Sequence, residues 1–213
     1  FSRAISLLPG DATYDEARTL WNARFDKYPS MIARCASVDD VVEIVNFARM
    51  RGLSAAVRSG RHDLAGRCVM DDEISIDLTQ MGKITVDPQK RSVRAEAGAI
   101  WRNVTTEVQK HGLATGGPMD SNVTVSGYGL GGGLNLLMRA HGLGCDNVLS
   151  IEMVSSGGEQ IKVDKDNHPD LFWAMRGAGA NFGVVTAMEY RLHPIPKVLA
   201  GNVTWALGDD SVK

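Results

Sequence analysis

The apolar and polar positions near the start of the chain follow two different periods. A helical period after residue 37 is set by apolar residues at i, i+3, i+4, i+7 and i+10, which are Val38, Val41, Val42, Val45 and Ala48. Ser37 is placed to cap this helix, and Gly52 is placed to end it. Apolar segments at 31–36 and 53–58 flank the helix and predict strands. This order predicts two parallel strands joined by a right-handed crossover.

Short apolar segments continue along the rest of the chain. They predict strands at 73–79, 83–86, 92–97, 149–155, 159–163 and 183–192. In the first of these strands we expect Ile74, Ile76 and Leu78 to face inward and the charged positions to face outward. Turn residues separate the second strand from the third and the fourth from the fifth, which predicts two hairpins.

Helices are predicted at 13–25, at 100–112 and in the short segment that begins at Pro169. The fold class that follows is α+β, with one βαβ unit first and mostly antiparallel strands after it. The segment from Ala200 to Leu207 predicts the first strand of a further domain, beyond a boundary marked by Pro194 and Pro196.

Composition and charge exclude several classes of protein. A formal net charge of −2 without a basic block argues against a nucleic-acid or membrane partner. The three cysteines include no CxxC pair and have no histidine at zinc spacing, so we expect no metal site. We expect reduced thiols and a cytoplasmic protein. Secretion is left open by Asn-Val-Thr sequons at Asn103, Asn122 and Asn202.

The segment that directly follows the second strand of the βαβ unit is the first candidate site. A loop at the carboxyl end of a strand, with small residues in it, can turn several amides toward one anion such as a pyrophosphate. A plain turn with a surface histidine is the alternative. The residues of this loop are Arg58, Ser59, Gly60, Arg61, His62 and Asp63.

The glycine run from Gly127 to Gly133 is the second candidate site. Gly127, Gly129 and Gly132 match G-x-G-x-x-G, but the run lies past mid-chain and is not followed by a crossover helix. A nicotinamide site is therefore disfavoured. We interpret the run as backbone laid against a flat ligand, with tight packing of the protein as the alternative. The glycines at 177–183 are explained by a helix end, and the histidines at 111, 141, 168 and 193 are interpreted as isolated surface or capping residues.

Taken together, the motifs resemble the FAD-linked oxidases of the vanillyl-alcohol oxidase superfamily, in the berberine bridge enzyme-like group. The segments that carry the resemblance are 58–62, 127–133, 141–147, 169–177 and 181–186. The resemblance implies a PCMH-type FAD-binding fold of two α+β subdomains around an extended FAD. It implies a FAD-binding domain at 1–196, divided into about 1–98 and 99–196. Residues 197–213 would then begin a truncated substrate domain.

The resemblance also implies roles for single residues. It places His62 where a histidine bonds to the flavin 8α-methyl carbon. Asp120 lies where many relatives carry a second, cysteine link, so we expect one covalent bond. Tyr128 falls near flavin N1 and the C2 carbonyl, and Gly127 falls where oxygen is gated. The resemblance further implies backbone contacts with FAD at Gly117, Ser121, Gly132, Gly133 and Val185.

The function that the resemblance implies is an oxidase. A hydride would pass from a small-molecule C–H next to oxygen or nitrogen to FAD, and O2 would reoxidise the flavin to give H2O2. The catalytic base is expected outside this chain, in a further domain or in a second polypeptide. The alternatives are a dehydrogenase with another acceptor, and a flavin-binding subunit that is inactive without the substrate domain.

Overall fold

The computed structural model describes residues 5–179, 181–195, 197–199, 201, 203 and 204. Within them, strands and helices alternate in the α+β manner expected from the sequence. The expected strand from Ala200 to Leu207 lies largely outside the described residues, as does most of the expected beginning of a substrate domain.

The first sheet contains the predicted βαβ unit. Its strands are β1 (Ile5–Leu7), β2 (Met31–Arg34), β3 (Ala55–Arg58) and β4 (Ile74–Asp77), in the order β1-β2-β4-β3. The predicted parallel direction of β2 and β3 is confirmed, because both are parallel to β4, which lies between them. The later strands were expected to be mostly antiparallel, and β4 is the exception among them.

The burial of β4 also differs from the alternation that we predicted. All four of its residues are buried, including Ser75 and Asp77 on the face expected to meet solvent. A strand with parallel neighbours on both sides and protein on both faces has no solvent side. The alternation of apolar residues therefore predicts one buried face of β4, but it does not predict that the other face is buried as well.

The helix after β2 forms as the sequence predicts. α2 (Val38–Arg51) begins with a capping box, in which the Ser37 hydroxyl accepts from the Asp40 amide and the Asp40 carboxylate accepts from the Ser37 amide. It ends at Gly52, whose φ of 63° is left-handed. The apolar face of α2 packs on the first sheet.

The second sheet is antiparallel throughout. Its strands run in the order β5-β6-β10-β8-β9 and are β5 (Ile84–Asp87), β6 (Ser92–Glu96), β8 (Val148–Val154), β9 (Gln160–Asp164) and β10 (Val184–Arg191). Both predicted hairpins, β5–β6 and β8–β9, are confirmed. β7 (Leu113–Ala114) and β11 (His193–Pro194) form a separate, two-stranded antiparallel sheet.

The remaining helices are short. They are α1 (Tyr14–Arg18), α3 (Trp101–Gln109), α4 (Val125–Leu130), α5 (Met138–His141) and α6 (Pro169–Met175). α1 is shorter than the predicted 13–25 because the chain becomes extended at Thr19, after which the Trp21 amide donates to the Arg61 carbonyl at 2.8 Å. α4 was not predicted, because glycines disfavour a helix interior.

The larger apolar core lies on one face of the second sheet. It joins β6, β8 and β10 to α3, α4 and α6 through large buried residues that include Trp101, Tyr128 and Tyr190. In the part of the chain that the structure describes, no helix combines the length and the apolar character needed to cross a bilayer.

Candidate functional site

The root of the predicted anion-binding loop is a buried ion pair. Arg58 ends β3, and its Nε lies 3.8 Å from an Asp77 carboxylate oxygen with both side chains almost fully buried. The guanidinium also donates to the Ala17 carbonyl. Burial lowers the pKa of Arg58, and the adjacent Asp77 partly opposes that shift. The Arg58 side chain points into the protein and anchors the loop, and the predicted contact of Arg58 with a cofactor stays a prediction.

The far end of the loop is organised by Asp63. Its carboxylate accepts the backbone amides of Ala65, Arg67 and Cys68 at 3.1, 2.5 and 3.0 Å. These bonds occupy both carboxylate oxygens, so Asp63 shapes the loop instead of reaching toward a ligand. Burial, helped by the negative charge of Asp63, raises the pKa of the Cys68 thiol to about 11.

Between these two ends, the loop faces the segment at 116–127. The Ser59 and Thr124 hydroxyl oxygens are 2.9 Å apart. A Cβ on Gly60 would approach Thr124 to 3.1 Å, and a Cβ on Gly127 would lie 3.8 Å from the Ser59 hydroxyl. The structure thus brings Ser59, Gly60 and Gly127 together across what we call the cleft, which is bounded by loop 58–63 and segment 116–127.

Both sides of the cleft present unpaired backbone donors. In the described part of the chain, the N–H groups of 59–62 donate no hydrogen bond to a backbone carbonyl, and neither do those of 116, 117 and 119–121, Pro118 having none to donate. Amides with no protein acceptor that converge from two loops can bind an anion or a ligand carbonyl. This donor set fits the diphosphate and the polar ring edge of a dinucleotide.

His62 is held at the open side of the cleft. Its ring stacks on the Trp21 ring with centroids 5.9 Å apart and an interplanar angle of 22°. Its Nδ1 lies 3.8 Å from an Asp120 carboxylate oxygen. Arg61, beside it, is half-exposed and 3.9 Å from Glu16. The sequence did not identify Trp21 as a site residue, because no motif contains it and it falls within the helix predicted at 13–25.

The glycine run divides into two groups. A Cβ on Gly129 would lie 2.2 Å from the Tyr190 hydroxyl oxygen, and a Cβ on Gly133 would lie 2.8 Å from the Tyr128 ring. The tight packing that we held as the alternative explains these two. Gly132 differs, because a Cβ there would meet nothing within 4 Å. Gly127 and Gly132 therefore remain the positions of the run where a ligand can approach the backbone.

Tyr128 lies beneath the cleft. Its hydroxyl is buried and reaches the carbonyls of Gly133 at 2.9 Å and Gly116 at 3.1 Å. Burial raises its pKa to about 12. The single hydroxyl proton is directed at backbone carbonyls, so in this structure Tyr128 fastens segment 116–127 to the end of the glycine run, and its donation to a flavin stays a prediction.

Three further predicted contact residues have separate positions. Gly117 packs against Trp101, whose ring would lie 3.0 Å from an added Cβ. Ser121 is exposed on the segment, where its carbonyl accepts the Arg102 amide at 2.8 Å. Val185 is the second residue of β10, and its side chain belongs to the larger core. Gly117 and Ser121 thus line the cleft segment, whereas Val185 has only backbone to offer a ligand.

One buried polar atom adjoins the cleft segment. The Thr115 hydroxyl, directly before Gly116, has no hydrogen-bond partner among the described residues. Buried polar groups of this kind are normally paired, so this hydroxyl can contact a bound molecule. In the same described ranges, no three metal-binding side chains are grouped together.

Outside the cleft, two of the histidines interpreted as isolated form a pair. His141 and His193 stack with ring centroids 4.1 Å apart. The His193 Nε2 is 2.7 Å from the Asn147 side-chain oxygen. Burial is the main cause of a lowered pKa at His193, followed by the adjacent His141. The sequence interpretation was wrong here because the pairing joins the end of α5 to β11, which are far apart in the chain.

Comparison with known proteins identifies the family of this chain. The profile of the FAD binding domain matches residues 29–164. (R)-6-hydroxynicotine oxidase of Paenarthrobacter nicotinovorans is 40% identical over 201 residues, covering 94% of this chain and 44% of that protein. The FAD-linked oxidoreductase YgaK of Bacillus subtilis is 37% identical over 204 residues, covering 93% and 45%.

Solved structures give the same result for the fold. The crystal structure of 6-hydroxy-D-nicotine oxidase from Arthrobacter nicotinovorans aligns with a TM-score of 0.87 and 38% identity, over 90% of this chain and 42% of that one. Chitooligosaccharide oxidase aligns with a TM-score of 0.85 and 28% identity, over 90% and 41%. The chain therefore spans less than half the length of the proteins that it matches.

Proposed function

The chain belongs to the FAD binding domain family, which includes FAD-linked oxidoreductases, and from that premise we propose that the cleft holds FAD through a single covalent bond to His62. The resemblance seen in the motifs and the expected PCMH-type FAD-binding fold are both confirmed. The observation that carries the proposal is the convergence of unpaired amides, Gly127 and His62 on one cleft.

The proposed roles follow from the chemistry of each side. The amides of 59–62 bind the diphosphate, because consecutive N–H groups in a loop form a concave anion site. The N–H groups of 116, 117 and 119–121 bind polar atoms of the ring system. When bound, the flavin supplies the site that accepts a hydride. The protein contributes the binding, the orientation and the local electrostatics.

His62 is the proposed attachment site because it is the histidine on the cleft loop and its ring is already oriented by Trp21. A second link through cysteine is not proposed. The resemblance in the motifs implies that Asp120 occupies the position where many relatives carry that cysteine. Cys145 is buried, and Cys68 is tied into the Asp63 turn.

We further propose an oxidase that takes a hydride from a small-molecule C–H next to oxygen or nitrogen and returns H2O2. Matched proteins named as oxidases support this over a dehydrogenase. Gly127 supports it physically, since it is exposed and an added Cβ there would make only ordinary contacts, at 3.7 Å with Thr124 and 3.8 Å with Ser59. The proposal places no substrate pocket and no catalytic base among the described residues; a further part of the polypeptide, or a second one, would supply them.

The experiment that tests FAD binding is a denaturing gel viewed for yellow fluorescence. Wild-type protein should give a fluorescent band. His62→Ala should bind FAD before denaturation and lose it afterwards, while His111→Ala, at an exposed histidine just after the end of α3, should behave as wild type. Colourless wild-type protein that cannot be reconstituted with FAD would contradict the proposal.

Oxygen as the acceptor is tested separately. With a substrate that reduces the flavin, wild type should release H2O2 and Gly127→Val should reoxidise more slowly, with anaerobic reduction by substrate unchanged. Reoxidation by a dye or quinone but not by O2 in wild type would favour the dehydrogenase instead.

A further inference from the structure

We propose that Asp120 is a positioning residue for flavin attachment, and that it directs the bond to Nε2 of His62. The inference rests on the proposed function, because it concerns the same covalent link. The juxtaposition that motivates it is the Asp120 carboxylate facing the Nδ1 edge of the His62 ring at 3.8 Å.

The Asp120 carboxylate is oriented by its own loop. One carboxylate oxygen, Oδ1, accepts the Asn122 amide at 2.9 Å, and the Asp120 carbonyl accepts the Val123 amide at 3.2 Å. These two bonds leave Oδ2 as the oxygen directed at His62. The distance of 3.8 Å is too long for a hydrogen bond, so the contact acts as an electrostatic preference for one edge of the ring.

Trp21 and Asp120 restrict different motions of the ring. Stacking on Trp21 fixes the ring plane, and Trp21 itself is tied to the loop by its amide bond to the Arg61 carbonyl. Stacking alone permits a half-turn about the Cβ–Cγ bond, which would exchange Nδ1 for a carbon. The carboxylate distinguishes these two orientations, because a ring N–H on its side is favoured over a C–H.

The preferred tautomer then determines the nucleophile. A proton on Nδ1, facing Asp120, leaves the lone pair of the neutral imidazole on Nε2. Nε2 of His62 forms the bond to the 8α carbon. A proton leaves the 8α methyl group, and the Nδ1 proton passes toward Asp120 and solvent. Two electrons enter the flavin ring, and O2 accepts them with both protons as H2O2.

The experiment measures the rate of covalent attachment after FAD is added to apoprotein, by fluorescence of the denatured band. Asp120→Ala should attach FAD about tenfold more slowly, in the range seen when a partner that orients a ligating histidine is removed. Asp120→Asn keeps an acceptor for the Asn122 amide but removes the charge, so it should also be slow. Asp120→Glu should restore part of the rate. Asp166→Asn, at an exposed carboxylate paired with Lys165, is the control.

The position of the bond gives a second readout that a purely structural role would not produce. In the isolated flavin peptide of wild type, the 8α methylene protons should show nuclear Overhauser contacts with Cδ2–H of His62, which only an Nε2 bond places nearby. Contacts with the Cβ protons, which indicate an Nδ1 bond, would overturn the inference. So would an Asp120→Ala protein that attaches FAD at the wild-type rate.

The two levels of the account fail separately. Wild-type protein that carries FAD on His62 through Nδ1, or that attaches it equally fast without the Asp120 carboxylate, overturns this inference and leaves the proposed function intact. Wild-type protein that binds no FAD, or that binds it without a covalent bond, contradicts the proposed function itself.

Discussion

Replacing Gly133 by alanine should destabilise the fold strongly, whereas the same replacement at Gly127 should not. Both glycines belong to one run, so the sequence alone gives them equal weight. The structure separates them. Gly133 has a φ of +77°, and an added Cβ would lie 2.8 Å from the Gly144 Cα and from the Tyr128 ring. Gly127 lies in α4, where an added Cβ makes contacts of 3.7 Å and longer.

The magnitudes follow from these two environments. A left-handed backbone costs an alanine roughly 1–2 kcal/mol. Forcing a methyl group against backbone and a buried ring costs about 1–3 kcal/mol. Together Gly133→Ala should lose about 2–5 kcal/mol of unfolding free energy. Gly127→Ala relieves a glycine in a helix and should gain up to about 1 kcal/mol.

Urea unfolding of the apoproteins, followed by circular dichroism, measures both values at an unchanged m-value. Apoprotein is the correct state, because a bound cofactor would add its own stabilisation to each variant. Equal destabilisation by the two substitutions would refute the division of the run into packing glycines and open glycines. So would a Gly133→Ala protein as stable as wild type.

Three other predictions concern the anchor of the loop, the histidine pair and the thiols. Arg58→Met removes the buried partner of the Asp77 carboxylate and should lower the free energy of unfolding, measured in urea, by about 3–5 kcal/mol. Arg34→Met, at a more exposed contact with the same carboxylate, should lower it by at most about 1 kcal/mol. Because the pKa of His193 is lowered in the folded protein, the unfolded chain binds the His193 proton first as the pH falls. The free energy of unfolding should therefore fall as the pH drops through about 6.5 and level off below the folded pKa. His193→Asn should flatten that part of the pH profile, and a profile identical to wild type would contradict the pairing with His141. Burial raises the pKa of every thiol, so folded protein at pH 8 should resist alkylation that goes to completion in urea, at Cys35, Cys68 and Cys145.

The parts of the fold that the sequence predicts well are local. α2 was predicted with both ends, because Ser37, Asp40 and Gly52 act on backbone within a few residues of themselves. The hairpins were predicted for the same reason, since a turn and its two strands are contiguous. The place of β4 between β2 and β3 was not, because strand order is set by contacts between distant segments.

The site shows the same limit. The motif order located the loop with His62 and the segment with Gly127, and these are the two sides of the cleft. It did not indicate that Arg58 turns inward or that the Tyr128 hydroxyl is taken by carbonyls. Those outcomes depend on which residues pack against Arg58 and Tyr128 in the folded protein, and the spacing of motifs along the chain does not give that information.

The central claim is that FAD is bound covalently at one residue of the cleft loop, and peptide mapping of the denatured holoprotein tests it most directly. Trypsin cleaves after Arg58, Arg61 and Arg67. The account predicts one FAD per chain, found by mass spectrometry on the peptide 62–67, or on 59–67 where the bulky adduct blocks cleavage, with fragmentation that assigns it to His62. Flavin released entirely on denaturation, or flavin attached to a peptide that does not contain His62, would contradict the account.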